Sequence, residues 1–82
     1  MRRAEIISKL NEIFEDIIDD GPVSLSDTTI ANDIGGWDSL TNIQLMVAIE
    51  KNLNIRFTSE EMQSFHNVGE IIDCILKKNN EL

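Results

Sequence analysis

Between Ile6 and Ile18 the chain sets Ile6, Ile7, Leu10, Ile13, Phe14, Ile17 and Ile18 at three- and four-residue steps. That spacing stacks side chains on one face of an α-helix, whereas a strand would send alternate residues to opposite faces. The same period returns twice. Leu45, Met46, Ile49 and Leu53 share one face of a helix expected over Ser39 to Leu53, and Val68, Ile71, Ile72, Ile75 and Leu76 share a face of a final helix. Thr58-Ser59-Glu60-Glu61 reads as a capping box, Thr58 with Glu61, opening a brief helix that carries Met62 and Phe65. Asn67-Val68-Gly69-Glu70 reads as a second box at the head of the last helix, and Lys77 and Lys78 suit the negative end of its dipole. The fold class that follows is all-α, three main helices and one short one. Ile55 and Phe57 are expected to tuck inward, and the chain to fray from Asn79 to Leu82.

Gly21-Pro22 is expected to end the first helix, because proline cannot continue the hydrogen-bond ladder. From there to Asp38 runs a connection of a length that compact domains seldom leave idle. Val23, Leu25, Ile30 and Ile34 are spaced as anchors onto the core, with a short helical turn expected around Thr28 to Ala31. Gly35-Gly36 supplies a turn just before the second helix.

Eighty-two residues with 41% hydrophobic content support one core, so residues 1–82 are expected to form a single domain. The formal net charge is −8, and no Lys or Arg occurs from Leu10 through Glu50. Glu12, Glu15, Asp16, Asp19, Asp20, Asp27, Asp33, Asp38 and Glu50 fall in that window. Nucleic-acid binding needs cations to neutralise phosphates, so it is a poor reading; acids of this density attract basic patches on partner proteins, or serve solubility alone. Cys74 is the only cysteine, which forbids an internal disulfide, fits a reducing compartment and, between Ile71 and Ile75, suggests a buried, inert thiol. The longest apolar run, Leu45 to Ile49, is far too short to span a membrane, and charges at Glu5, Lys9 and Glu12 break any leader after Met1-Arg2-Arg3. A cytoplasmic location is expected.

The chemistry concentrates at Gly35-Gly36-Trp37-Asp38-Ser39-Leu40, where a serine opens the second helix in a region free of positive charge. Asp38 or Ser39 caps the helix, and Ser39 is either no more than a cap or an attachment point, since the unpaired N–H groups and dipole of a helix start suit a phosphate ester. The helix beyond it bears a second apolar stripe, Leu40, Ile43 and Val47, roughly a third of a turn from the first by the ~100° step. Either that helix is central in the bundle, or the second stripe docks other proteins. A serine hydrolase would need a histidine base and an orienting acid, but the only histidine is His66, which reads as a surface or helix-end residue. One Cys and one His offer no zinc spacing, and a calcium loop from Asp27 fails because Asn32 stands where glycine is required and Asp38 where a bidentate Glu belongs.

From about Arg3 to Lys78 the order of features resembles the acyl carrier protein family. There is a long first helix, a loop with Asp33-Ile34, the Asp38-Ser39-Leu40 triplet, the Ile43, Leu45, Met46, Val47, Ile49 and Glu50 series, a short third helix and a Val68-led last one. The resemblance implies a four-helix bundle with a long loop between helices 1 and 2. It implies a carrier rather than an enzyme, with 4′-phosphopantetheine esterified to Ser39 by a separate phosphopantetheinyl transferase that draws on coenzyme A. Acyl or aminoacyl groups would ride on the arm's thiol, not on Cys74, between loading enzymes and acyltransferases or synthases. It also implies partner recognition by Asp38, Leu40, Ile43 and Val47, which favours docking as the role of the second stripe. Two departures point away from general fatty acid synthesis and toward a specialised pathway. Trp37 replaces the smaller aliphatic residue of many such carriers, and Thr41 and Gln44 stand where those carriers often place acids. A monomer is expected. The alternative is a helical interaction module that keeps the fold and bears no arm.

Overall fold

The computed structural model describes residues 2–19 and 21–80. Four helices follow in order, α1 (Arg3–Ile18), α2 (Ser39–Leu53), α3 (Ser59–Ser64) and α4 (Val68–Asn80), with a 3-10 turn at Ala31–Asp33 in the loop between α1 and α2. α1 packs against α2 and α4, and α3 leans on α2. Their shared core is made by the residues the periodicity singled out. Ile6, Leu10 and Phe14 of α1, Leu45, Met46 and Ile49 of α2, and Val68, Ile71, Ile72 and Ile75 of α4 are wholly buried. Ile55 and Phe57 close the bottom of this core from the α2–α3 link.

α1 ends one turn earlier than the proline requires. Asp19 takes a left-handed conformation (φ 53°) and returns its N–H to Glu15 O, so the helix stops before Gly21-Pro22 is reached. The loop is then tied to α1 by polar side chains rather than by apolar residues alone. Asn11 Oδ1 accepts from the Leu25 N–H (2.9 Å), and Glu15 Oε2 from the Val23 N–H (2.9 Å). Leu25 is buried and Val23 and Ile34 are half-buried as anchors, but Ile30 is 40% exposed. Thr29 takes the inward place, its hydroxyl accepting from the Ser26 N–H. The helical turn accordingly lies at Ala31–Asp33 rather than Thr28 to Ala31, because Asp33 Oδ2 accepts from the Ile30 N–H (3.0 Å) and fixes the turn's start there.

The loop also caps α4. Val68 N–H donates to Thr29 O and Gly69 N–H to Asp27 O, both at 2.9 Å, satisfying two donors that a helix start otherwise leaves unpaired. Arg3 reinforces the junction, reaching Asp27 (3.0 Å) and Asp73 (2.6 Å) from α1. The second capping box is only half as expected. Asn67 Oδ1 accepts from the Glu70 N–H, but the Glu70 carboxylate reaches past Asn67 to the His66 N–H (2.8 Å). α4 continues through Asn79 and Asn80, where fraying was expected; residues 81 and 82, like Asp20 of the acidic window and Met1, lie outside the described residues.

Candidate attachment and docking site

α2 begins at Ser39 because Asp38 stops the chain from starting sooner. Asp38 is extended, and its Oδ1 accepts from the N–H groups of Leu40 (3.0 Å) and Thr41 (2.9 Å). Thr41 reciprocates: its hydroxyl accepts from the Asp38 N–H (2.8 Å) and donates to Gly36 O (2.7 Å). The Thr41 N–H, with help from Leu40, holds the Asp38 carboxyl below the ordinary carboxylate range. Asp38 is therefore the cap. Ser39 follows as the first helical residue, exposed, and among the described residues nothing donates to or accepts from its hydroxyl.

Of the other serines, Ser8 lies within α1 and Ser24 in the loop, neither at a helix start, and the remaining three are less free or less well placed. Ser26 Oγ lies 3.2 Å and 3.1 Å from the Thr28 and Thr29 hydroxyls, and Ser64 Oγ donates to Glu61 O. Ser59 opens only the six-residue α3.

The approach to Ser39 is braced by a relay that sequence reasoning passed over. The Trp37 indole stands edge-on to Phe14 of α1, ring centroids 4.9 Å apart. Its Nε1 donates to Asn42 Oδ1 (3.0 Å), and Asn42 Nδ2 donates to Met62 O (3.0 Å) at the α3 side. One indole and one amide thus join α1, the loop, α2 and α3 two residues before the serine. A signal for this was available. At ~100° per residue Asn42 falls amid Leu45, Met46, Ile49 and Leu53, and an amide on a buried face needs partners. Gly36 has φ +87°, and a Cβ there would stand 3.0 Å from Ile18 Cγ2, so the turn before Trp37 requires glycine.

Beside Ser39, between α2 and α3, lies a cavity of about 680 Å³ lined by apolar Trp37, Ile43, Met62 and Phe65 and by polar Asn42, Gln63 and His66. His66 is exposed and near Glu70 (3.3 Å), as a surface residue. Along α2 the second stripe faces outward: Leu40 is 69%, Ile43 56% and Val47 38% exposed. The stripe is therefore not buried by a central α2; Leu45, Met46 and Ile49 are the α2 side chains that fill the core. Glu50, the acid left on α2, is used structurally, its Oε2 accepting from the Phe57 N–H (2.8 Å). Cys74 is half-buried rather than fully so; burial, and then the Glu61 carboxylate whose Oε2 lies 3.6 Å from Sγ, push its thiol pKa up. No helix among the described residues is long and apolar enough to cross a membrane.

A free hydroxyl at a capped helix start, beside a groove and a bare apolar stripe, fits a covalently attached arm, because esterifying it breaks no internal hydrogen bond. Comparison with known proteins shows the family. A family model described as phosphopantetheine attachment site matches residues 5–75. An acyl carrier protein of Cyanidium caldarium is 38% identical over 56 residues, which span 68% of this chain and 64% of that protein's length. One of Guillardia theta is 31% identical over 80 residues, 95% of this chain and 96% of that protein. The solution structure of a holo acyl carrier protein from Geobacter metallireducens superposes with a TM-score of 0.82 at 37% identity, covering 92% of this chain and 86% of that one. The chain belongs to the acyl carrier protein family, carriers rather than enzymes, in which 4′-phosphopantetheine is borne covalently on a serine.

Proposed function

We propose that residues 1–82 form one carrier domain in which Ser39 bears the phosphopantetheine arm, and that acyl or aminoacyl groups travel on it as thioesters. The observation that carries the assignment is the exposed Ser39 hydroxyl, free of hydrogen bonds among the described residues, at the start of a helix whose cap is supplied by its neighbour. Because Asp38 does the capping, Ser39 is released from it. The arm supplies the thiol. What this chain contributes is position: α2 holds Oγ outward, its dipole favours the new phosphodiester, and the Trp37–Asn42–Met62 relay fixes the approach.

In loading, a phosphopantetheinyl transferase would provide the base and magnesium. Ser39 Oγ gives up its proton and forms the bond to phosphorus, and the adenosine bisphosphate of coenzyme A leaves. Leu40, Ile43 and Val47, with Asp38 at their head, form the surface on which the transferase and the acyl-loading and acyl-transferring enzymes dock. Thr41 and Gln44 carry no charge and Glu50 is committed to Phe57, so grip on these partners comes chiefly from apolar contact. That departure supports a dedicated carrier for a specialised pathway; the proposed carrier works as a monomer in the cytoplasm.

Incubation with coenzyme A and a broad-specificity transferase, read by intact mass, should add one phosphopantetheinyl group to the wild type and none to Ser39→Ala. Addition that persists in Ser39→Ala overturns the site. A wild type that stays unmodified would instead favour an armless interaction module.

A further inference from the structure

The exposed stripe of α2 does not end at Val47. At ~100° per residue, Leu40, Ile43, Val47, Lys51 and Asn54 lie within about 80° of one another, opposite the buried Leu45 and Ile49. Lys51 is exposed, and so is Arg56 just beyond the helix. Among the described residues neither makes an ion pair. Together with Val47 and Asn54 they line a cavity of about 710 Å³ at the far end of α2. Lys78 also lines it but is committed to Glu61 at 2.9 Å, and Glu50 offsets one of the two remaining cations. The cavity therefore keeps a positive balance on a chain whose formal net charge is −8.

We infer that this cavity is the second half of the docking surface, and that it receives an acidic side chain of the partner protein. The partner presents an apolar groove to Leu40, Ile43 and Val47 and places an Asp or Glu against Lys51 and Arg56. From Ser39 to Lys51 the helix rises about 18 Å at ~1.5 Å per residue, which sets the distance from the arm's entry point to the partner's acid. Asp38 at one end and Lys51 with Arg56 at the other make the strip polar along its length. Charge complementarity then admits a partner in one direction and penalises the reverse. The inference rests on α2 being the docking helix of the proposed carrier.

Two stapled helical peptides with the same leucine ridge, one ending in Glu-Glu and the other in Lys-Lys, titrated into the isotope-labelled carrier, test this. Net charge alone favours the Lys-Lys peptide. The inference requires the Glu-Glu peptide to bind about five-fold tighter at ~25 mM salt, with amide shifts from Val47 to Arg56. That preference should vanish in Lys51→Glu/Arg56→Glu, shrink in Lys51→Gln/Arg56→Gln, and fade above ~0.5 M salt. Tighter binding of the Lys-Lys peptide, equal binding, no binding by either, or shifts confined elsewhere would overturn it. Docking of the peptides does not involve the arm, so failure of Ser39 to load in the mass assay is read separately.

Discussion

Replacing Trp37 by alanine removes the strut before Ser39. The indole is half-buried, so about 100 Å² of apolar surface is returned to water, at ~25 cal/mol per Å². The edge-on contact with Phe14 is worth about 1 kcal/mol beyond that area, and the bond to Asn42 about 1 kcal/mol net. Allowing for relaxation of the half-open site, the loss is about 3 kcal/mol. A domain of this size holds roughly 4–12 kcal/mol, so the variant folds but is much weakened. With a urea slope of about 1 kcal/mol per M, the midpoint should fall by about 3 M. Far-UV circular dichroism is the readout, since Trp37 is the only tryptophan. Trp37→Phe, which keeps the ring stacking and loses the indole N–H, should cost about 1 kcal/mol. Asn42→Ala should then cost less in the Trp37→Phe background than alone. A Trp37→Ala loss under about 0.5 kcal/mol, the range of an ordinary surface change, would refute the reasoning.

Three further outcomes follow from the same geometry. A Cβ on Gly69 would stand 2.8 Å from the Asp27 carbonyl, so Gly69→Ala must push the loop off the start of α4 and cost about 1–3 kcal/mol; an unchanged melting temperature would contradict that close approach. Glu61, held below the ordinary carboxylate range by the Thr58 N–H and then Lys78, contributes stability that is complete above its unfolded pKa and is lost as pH falls through the lower folded one. Glu61→Gln should therefore flatten the acid side of the stability–pH curve, and parallel curves would count against it. Leu40→Asp and Ile43→Asp should lower transferase kcat/KM at least about ten-fold with little change in melting temperature, because both side chains are exposed; unchanged kinetics would remove the stripe from docking.

The helices were legible because their determinants are local. α2 begins and ends where the apolar period and Asp38 placed it, and α3 opens at the Thr58–Glu61 box. The loop was not, because its conformation is decided by residues far along the chain. Asn11 and Glu15 lie off the apolar stripe of α1, and nothing local shows that they hold Leu25 and Val23. Ile30 looked like an anchor by composition, yet the Asp33 bond to its N–H turns it outward and lets Thr29 in. Gly69 gave no sign of a close approach, since Asp27 is distant in sequence. At the site, the sequence offered Ser39 two roles. The hydrogen bonds of Asp38 separate it from Ser39 as the cap and leave the serine hydroxyl unspent, which supports the proposed attachment there.

Proteolysis and fragment-ion mass spectrometry of the loaded wild-type chain test that separation most directly, by locating the arm. The account requires the phosphopantetheinyl mass on the peptide containing Ser39 and on that side chain alone. The arm found on Ser8, Ser24, Ser26, Ser59 or Ser64 would contradict it.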